Sequence, residues 1–433
     1  MSTTRMPAPA RTLQHPCRGT DAQGLAVTGG SAADIAAINQ FRDAVLRRGR
    51  ETDRILDAAG NRSDCLMALA CAAAVHLLGD TRAGVQRAVL LLEQAARTLP
   101  MATDREATFV AALGAIARDD ARLAASAFLA LAADAPDDLL AGYIGHLHFL
   151  NHGQTDAMLT QARLLARANP QDPFALGMLS FALHETGAVD AAWDAAMTAD
   201  ATDPSIAWVH HAAGHIFRSR RQNERGVQWL VAKSDHWQSC GSSMFTHNFW
   251  HTALLMLEMG EGKAVLGLYD RLIAGEAARS VSSFVNAVSL LARVERLGVD
   301  VATRWQPLAE AAAPRIGEHV LPFIDLHYAL ALARHGDAAA CDALQRSAWQ
   351  HAVRATGRSR QAWIAAGLPV LGAVVAYGLG DRRRAAQGFE RGLPALWRVG
   401  GSHQQRGLFH SLGADCPGTC RVATIGDDAL SNA

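Results

Sequence analysis

The sequence has no excess of charge of either sign, because its 433 residues contain 41 lysines and arginines and 41 aspartates and glutamates. This balance excludes a strongly basic nucleic-acid footprint and a polybasic membrane anchor. Aromatic residues are scarce, at 6%, although half of the residues are hydrophobic. The apolar residues are therefore mainly Ala, Leu and Val, which favours helices and is too apolar a composition for a wholly disordered chain.

The cysteines of the sequence also lack the spacing of disulfide-rich or zinc-binding domains. The seven cysteines are Cys17, Cys65, Cys71, Cys240, Cys341, Cys416 and Cys420. Their number is odd and no CxxC pair occurs, so neither a disulfide framework nor a zinc knuckle is favoured. A reducing compartment is the expected environment.

Long uninterrupted apolar runs are missing as well. The two most apolar stretches, residues 65–79 and 365–380, are broken by His76 and by Pro369 with several glycines. Neither reaches the roughly 18 clean apolar residues that a membrane span requires. Residues 1–18 carry three arginines but no apolar core, which does not fit a secretory signal. We therefore predict a soluble, cytoplasmic protein that does not bind a membrane.

A 34-residue repeat is the main positive signal. Pro136, Pro170 and Pro204 are each 34 residues apart, and Gly153 and Gly187 follow the first two of them by 17 residues. A helix–turn–helix period of this length is typical of tetratricopeptide repeats. We expect each Gly to end a first helix in a left-handed conformation, and each Pro to stop a second helix.

This pattern predicts an all-α fold, a tetratricopeptide-like α-solenoid of hairpins that can close into a compact superhelix. No convincing alternating strand is found. The predicted organisation is a disordered leader at residues 1–30, a helical repeat domain at residues 31–413 and a disordered tail at residues 414–433. Further hairpin turns are predicted at Gly260-Glu261, Gly336-Asp337 and Gly380-Asp381.

The eighteen histidines are unevenly distributed. Two segments contain a pair four residues apart, His211/His215 and His247/His251, so each pair shares one helix face. In the repeat register the two segments are first helices of successive hairpins, about 10 Å apart and lining the concave groove. The side chains expected in or beside this groove are His184, His211, His215, His247, Trp250 and His251.

Three interpretations of these histidines stay open: a metal or acid–base cluster, a groove that binds a peptide, and hydrogen-bonded structural residues. Asp325 and His327 are weaker candidates, because two residues in one helix two positions apart do not share a face. No nucleophile elbow, phosphate loop, dinucleotide fingerprint or HExxH helix is present. The sequence therefore names no reaction and leaves open whether the protein is an enzyme.

The chain resembles the tetratricopeptide repeat protein 38 family over about residues 35–415. The matching stretches are residues 208–218, 226–230, 236–240, 247–251, 258–261, 268–270, 286–291, 323–327 and 400–406. The resemblance implies a closed-up array and one pocket that contains His211, His215, His247, His251, His327 and His403, with Arg406 beside the last. The chain departs from the family pattern at Asn286 and Gly407, where acids are expected, so a function that needs either carboxylate would be altered.

Two functions follow from these observations. The first is a tetratricopeptide repeat protein that binds a protein, peptide or small ligand in a His-rich concave pocket. The ligand-binding candidates are His184, Trp250, Asp325 and Arg406. The second is a His-dependent enzyme of unknown reaction, with or without a transition metal such as Zn or Fe. The catalytic candidates are His211, His215, His247, His251, His327 and His403, of which the first four are the candidate metal ligands. The enzyme hypothesis requires residues 400–406 to fold back onto the helix that carries His247.

Overall fold

Helices account for almost all regular structure in the computed structural model, which describes residues 18–60 and 64–416. The predicted all-α fold is therefore confirmed. In chain order the helices are α1 (Ala32–Leu46), α2 (Ile55–Gly60), α3 (Leu66–Leu78), α4 (Arg82–Ala95), α5 (Asp104–Ala117), α6 (Ala121–Asp134), α7 (Leu139–Asn151), α8 (Thr155–Ala168), α9 (Pro173–Glu185), α10 (Val189–Thr202), α11 (Ala207–Ser219), α12 (Asn223–Lys233), α13 (Ser242–Glu258), α14 (Gly262–Leu268), α15 (Val281–Arg296), α16 (Trp305–Ala312), α17 (Pro322–His335), α18 (Ala338–Arg354), α19 (Gly357–Ala362), α20 (Leu368–Gly378), α21 (Arg382–Gly392) and α22 (His403–Ala414).

The 34-residue sequence period is a structural repeat. The first helices of three successive hairpins, α7, α9 and α11, begin 34 residues apart, and so do the second helices α8, α10 and α12. The turn residues Gly153 and Gly187 have φ of 61° and 88°, and Arg221 takes the same place in the third copy with φ of 56°. The preceding second helices end two residues before each repeat proline. The turns predicted at residues 260–261, 336–337 and 380–381 also join consecutive helices.

A small β-hairpin precedes the helices. Strands β1 (Arg18–Thr20) and β2 (Ala26–Thr28) pair in antiparallel fashion. Thr28 donates hydrogen bonds from its backbone N–H and its hydroxyl to the buried Glu106 carboxylate, both at 2.7 Å. The predicted disordered leader therefore extends too far, since residues 18–30 are ordered, and strands of three residues carry too little alternation to be recognised. Residues 1–17 and 417–433 of the predicted leader and tail lie outside the described residues.

The array closes on itself around a central cavity. The backbone N–H of Arg82, at the start of α4, donates to the carboxylate of Glu318, just before α17. Gly400, just before α22, lies so close to α7 that a Cβ on it would be 2.4 Å from the carbonyl oxygen of Asn151. The cavity has a volume of about 1450 Å³ and is partly open to solvent, and its wall includes side chains from α1, α7, α11, α13, α17 and α18 and from the turn before α22.

One helical segment is long and apolar enough to cross a membrane by length and composition, Gly357–Gly378. It joins α19 to α20 through a π-helical turn at Trp363–Gly367. Pro369 was expected to interrupt this stretch, but it lies in the first turn of α20, where proline is tolerated. In the fold 61% of the apolar window is buried against other helices, so the segment serves as a core helix.

Two glycines near the C-terminal helix should respond in opposite directions to alanine. A Cβ on Gly407, inside α22, would meet nothing within 4 Å. We expect Gly407→Ala to raise the free energy of unfolding by about 0.5–1 kcal/mol, because Gly loses more backbone entropy in a helix. Gly400→Ala should lower it by more than about 1 kcal/mol, because Gly400 has φ of 91° and abuts Asn151. Denaturant unfolding of both variants checks this, and shifts of the same sign would contradict it.

Candidate metal centre

Four imidazoles converge between the neighbouring helices α11 and α13. Within the helices, His211 Nε2 lies 3.1 Å from His215 Nε2, and His247 Nε2 lies 3.3 Å from His251 Nε2. Between the helices, the ring centroids of His211 and His247 are 4.9 Å apart, and those of His215 and His251 are 4.4 Å apart. The two pairs, each on one helix face, thus form a single group, which we call the imidazole cluster.

A glycine and a tryptophan bring the two helices together at the imidazole cluster. Gly214 faces α13, and a Cβ on it would lie only 3.0 Å from the Cβ of His251. Trp250 is fully buried and stacks on His247, with ring centroids 5.2 Å apart and an angle of 8° between planes. The guanidinium of Arg293 lies over the Trp250 ring, 5.3 Å from the ring centroid. Trp250, predicted as a ligand-binding residue, is thus a packing wall of the cluster.

The clustered rings are held in their neutral form. Burial lowers the pKa of His247 to about 4, and the nearby Arg48 lowers it further while the hydrogen bond with Asn286 opposes the shift. Burial, assisted by neighbouring imidazoles, lowers the pKa of His211, His215 and His251 well below the usual value. Neutral imidazole is the form that binds a metal, so the cluster presents nitrogen lone pairs near neutral pH.

Asn286, one of the two departures from the family pattern, orients His247. Its Oδ1 lies 2.8 Å from His247 Nδ1, and its Nδ2 donates to Thr246 Oγ1 at 3.0 Å. Because the amide nitrogen is used on Thr246, the oxygen accepts the Nδ1–H of His247. The lone pair of His247 then lies on Nε2, which faces His251. An amide oxygen therefore supplies the orienting contact that a carboxylate often gives to a metal-binding histidine.

A buried carboxylate that the sequence did not reveal lies beside the cluster. Glu185 Oε1 is 3.5 Å from His184 Nδ1 and 3.8 Å from His215 Nδ1, and Oε2 is 2.9 Å from His403 Nδ1. Burial alone raises the pKa of Glu185, but contacts with His184 and His403 outweigh it and hold the pKa well below its usual range. Glu185 is therefore an anion. The one sequence feature that could have indicated Glu185 is its position directly after the predicted groove residue His184, at the end of α9.

Residues 400–406 fold back onto the cluster. Gln404 Nε2 donates to the backbone carbonyl of His215 at 3.0 Å, and Arg293 Nη2 donates to the carbonyl of Gln404 at 2.8 Å. Arg406, predicted as a ligand-binding residue, is buried and donates to the carbonyl of Gly401. Its guanidinium therefore holds the turn before α22. His403 is therefore linked to the imidazole cluster indirectly, because the Glu185 carboxylate contacts both His403 and His215.

His327 and Asp325 do not join the cluster. His327 Nδ1 bonds to the carbonyl of Phe323 at 2.8 Å, and its ring packs against Phe323 and Phe409. Asp325 Oδ2 lies 2.5 Å from Nδ1 of His319 in the turn before α17. Their two-residue spacing in α17 turns them to different neighbours, so neither makes a hydrogen bond to the cluster among the described residues.

Among the described residues, two sets of side chains have the spacing of metal ligands. They are His211, His247 and His251, and His184, Glu185 and His215, with the ligand atoms of each set within 4.8 Å of one another. Zinc–nitrogen distances of about 2.0–2.1 Å place tetrahedral ligand atoms about 3.3–3.4 Å apart. Within the first set, His247 Nε2 and His251 Nε2 are 3.3 Å apart. Within the second set, Glu185 Oε1 lies 3.5 Å from His184 Nδ1 and 3.8 Å from His215 Nδ1. The four predicted ligands thus fall into two adjacent sets. His211, His247 and His251 form one set, and His215 belongs to the other with Glu185.

Several ring nitrogens in and beside the imidazole cluster have no hydrogen-bond partner among the described residues. They are Nδ1 of His184, His211, His215 and His251. A buried polar group left without a partner costs about 1–3 kcal/mol, so native proteins usually satisfy it with a group, a water or an ion. Nδ1 of His184 and of His215 face the Glu185 carboxylate, whereas Nδ1 of His211 and of His251 are left for a water or an ion to contact.

The imidazole cluster opens into the central cavity through His211 and His247. Arg48, a further cavity residue that the sequence did not single out, donates from Nη2 to Ser243 Oγ at 2.8 Å and lies over the ring of Tyr143. The cavity therefore offers a cation close to the neutral imidazoles. No model of a known protein family matches the chain. Its function has to be inferred from this site.

The cavity residue Asp80 should make stability depend on pH. Burial raises the pKa of Asp80 from 3.8 to about 7, although Arg48 opposes the shift. Because the folded chain keeps a proton that the unfolded chain has lost, the stability from this group is full below pH 4 and is lost as the pH rises through 7. Asp80→Asn should therefore gain up to about 4 kcal/mol relative to the parent between pH 4 and pH 8. Urea unfolding across this range measures it, and the exposed control Asp342→Asn should follow the parent.

Proposed function

We propose that this protein binds a small molecule in its central cavity and acts on it through a transition metal, Zn or Fe, held by the imidazole cluster. The observation that carries the proposal is the convergence of four neutral imidazoles, three buried and His247 half-buried, with Nε2 separations of 3.1 and 3.3 Å within the two pairs. Neutral imidazoles can pair two Nε2 atoms only as one donor and one acceptor, whereas a bound cation uses the lone pair of each.

The set His211, His247 and His251 fits a reactive metal site better than a purely structural one. Structural zinc sites are closed by four protein ligands, whereas catalytic sites use three and keep a position for water or substrate. Two of the three histidines line the cavity, so the remaining position is accessible to a small molecule. The adjacent anionic Glu185 adds a group that can hold a second cation or accept a proton.

The contacts that close the array support a small ligand over an extended peptide. A peptide-binding groove would be open at both ends, but contacts from Arg82 to Glu318 and from Gly400 to Asn151 join distant hairpins across the array. A volume of about 1450 Å³ accommodates a metabolite-sized molecule with its water. Binding of a small molecule without chemistry is the alternative that uses the same pocket.

Kinship with the tetratricopeptide repeat protein 38 family and a cytoplasmic location are part of the same proposal. The kinship is supported by the 34-residue hairpins and by the return of residues 400–406 to the paired histidines. The location is supported by the buried thiols of Cys71, Cys240 and Cys341, which are unpaired as expected in a reducing compartment.

Metal content and its effect on stability test the proposal. Protein purified without a His-tag should contain about one equivalent or more of a transition metal by inductively coupled plasma mass spectrometry. Removing the metal with a chelator should lower the melting temperature, because the metal binds the folded state, and adding it back should restore the temperature. Metal-free protein whose melting temperature does not change with chelator or added metal would contradict a metal centre and leave a pocket that only binds.

A further inference from the structure

A second polar constellation lies on the cavity wall, outside the imidazole cluster. His319, in the turn before α17, places Nε2 2.7 Å from the hydroxyl of Ser347 on α18. Its Nδ1 lies 2.5 Å from Oδ2 of the buried Asp325 on α17. Ser347 and His319 both line the cavity, whereas Asp325 is behind them. A hydroxyl, an imidazole and a carboxylate are thus joined in one hydrogen-bonded chain that begins at the cavity.

The imidazole in this chain is held in an unusual backbone conformation. His319 has φ of 48°, which places a non-glycine residue in the left-handed region. Residues held there cost about 1–3 kcal/mol and cluster at functional sites. The His319 ring packs edge-on against the buried Trp363, with centroids 5.8 Å apart, so the hydrogen bonds at both nitrogens and this contact fix its orientation.

We infer that Ser347, His319 and Asp325 form a nucleophile–base–carboxylate triad that hydrolyses a small acyl ester or thioester bound in the cavity. Such a triad is recognised by the mutual geometry of the three groups and occurs on unrelated folds in different chain orders. The distances of 2.7 and 2.5 Å lie within hydrogen-bond reach for an activated serine. Asp325 is the positioning residue, because it contacts His319 and faces away from the cavity.

The reaction needs only water as a co-reactant. Ser347 Oγ bonds to the acyl carbon while its proton moves to His319 Nε2, and the carbonyl electron pair moves onto oxygen. That intermediate breaks its bond to the leaving alcohol or thiol, which takes the proton from His319. Water then attacks the acyl–serine ester as His319 accepts its proton and returns it to Ser347. The products are a carboxylic acid and the alcohol or thiol, with no change in oxidation state.

His351 is placed to polarise the substrate carbonyl. It lies one turn after Ser347 on α18 and therefore on the same helix face, and it lines the cavity. Its Nε2 has no hydrogen-bond partner among the described residues. Because burial lowers its pKa to about 4, with His319 and Arg82 adding to the shift, the ring is neutral near pH 7. A neutral ring protonated on Nε2 donates one hydrogen bond to the developing oxyanion.

A fluorophosphonate probe tests the triad separately from the metal centre, since it can be applied to full-length protein after chelator treatment. We expect one covalent adduct, located on Ser347 by peptide mass spectrometry and absent from Ser347→Ala. His319→Asn, which suits the left-handed backbone, and Asp325→Asn should slow labelling by roughly 10²-fold or more. Ser282→Ala, which removes another cavity-lining hydroxyl, should label at the parental rate.

A cysteine rescue separates activation from structural support. Ser347→Cys should be alkylated by iodoacetamide, and adding His319→Asn to it should slow alkylation at least 10-fold while helicity and melting temperature stay close to those of Ser347→Cys. Absence of an adduct on Ser347 in folded protein, or equal rates with and without His319, would overturn the triad and make the chain a structural hydrogen-bond relay. Neither result depends on whether the imidazole cluster holds a metal.

Discussion

Replacing His251 by Ala should weaken metal binding by roughly 10²–10³-fold. Structural zinc sites gain about 10–16 kcal/mol from the metal, so each of four ligands contributes about 2.5–4 kcal/mol. His251 belongs to the set with His211 and His247, and its ring lies against His211 with centroids 5.0 Å apart. Losing it leaves two imidazoles, which cannot enclose a cation. The variant should therefore lose its metal during purification while the parent retains it.

A matched control separates this effect from a general loss of histidine. His335 is exposed in the last turn of α17, far along the chain from the cluster, and His335→Ala removes the same ring from a helix. We expect His335→Ala to keep the parental metal content. Far-ultraviolet circular dichroism should show full helicity for both variants. Equal metal content in His251→Ala and the parent would exclude His251 as a ligand.

Replacing Trp250 by Ala should lower the free energy of unfolding by about 3–5 kcal/mol, the usual cost of deleting a buried tryptophan. Trp250 is fully buried and contacts the rings of both His247 and His251. Its removal opens a void against α13 and frees Arg293, which now rests on its face. The imidazoles lose their packed orientation, so metal affinity should fall together with stability.

The conservative variant and an exposed tryptophan complete this test. Trp250→Phe keeps an aromatic ring against His247 and should retain metal at a smaller cost in stability. Trp349→Ala, at a side chain that is 58% exposed, should change the free energy of unfolding by less than about 0.5 kcal/mol. Denaturant unfolding gives all three values. A small loss in the free energy of unfolding for Trp250→Ala would mean that packing in the cluster does not depend on this ring. Trp250 would then be a ligand contact, as the sequence predicted.

The sequence predicted those features that depend on local spacing. Pro136, Pro170 and Pro204 mark the repeat because proline stops a helix, and the pairs His211/His215 and His247/His251 share helix faces because of the 3.6-residue turn. Their convergence followed from stacking one hairpin on the next.

The features that depend on closure of the array could not be predicted in this way. Glu185 contacts His403, which is 218 residues away in sequence. Ser347 contacts His319, which lies in a turn whose conformation no sequence motif predicts. How far a solenoid curls depends on many small rotations between hairpins, so these partners become neighbours only in the complete fold. The hairpin at residues 18–28 was missed for another reason, since its two strands are too short to show alternation.

Anomalous diffraction from crystals of the tag-free protein tests the central claim most directly. Data collected on either side of the absorption edges of Zn and Fe would locate any such metal and identify it. A metal centre predicts an anomalous peak about 2.0–2.1 Å from ring nitrogens of His211, His247 and His251. The metal centre would be contradicted by well-ordered imidazoles that show no anomalous peak and are hydrogen-bonded only to one another and to ordered water.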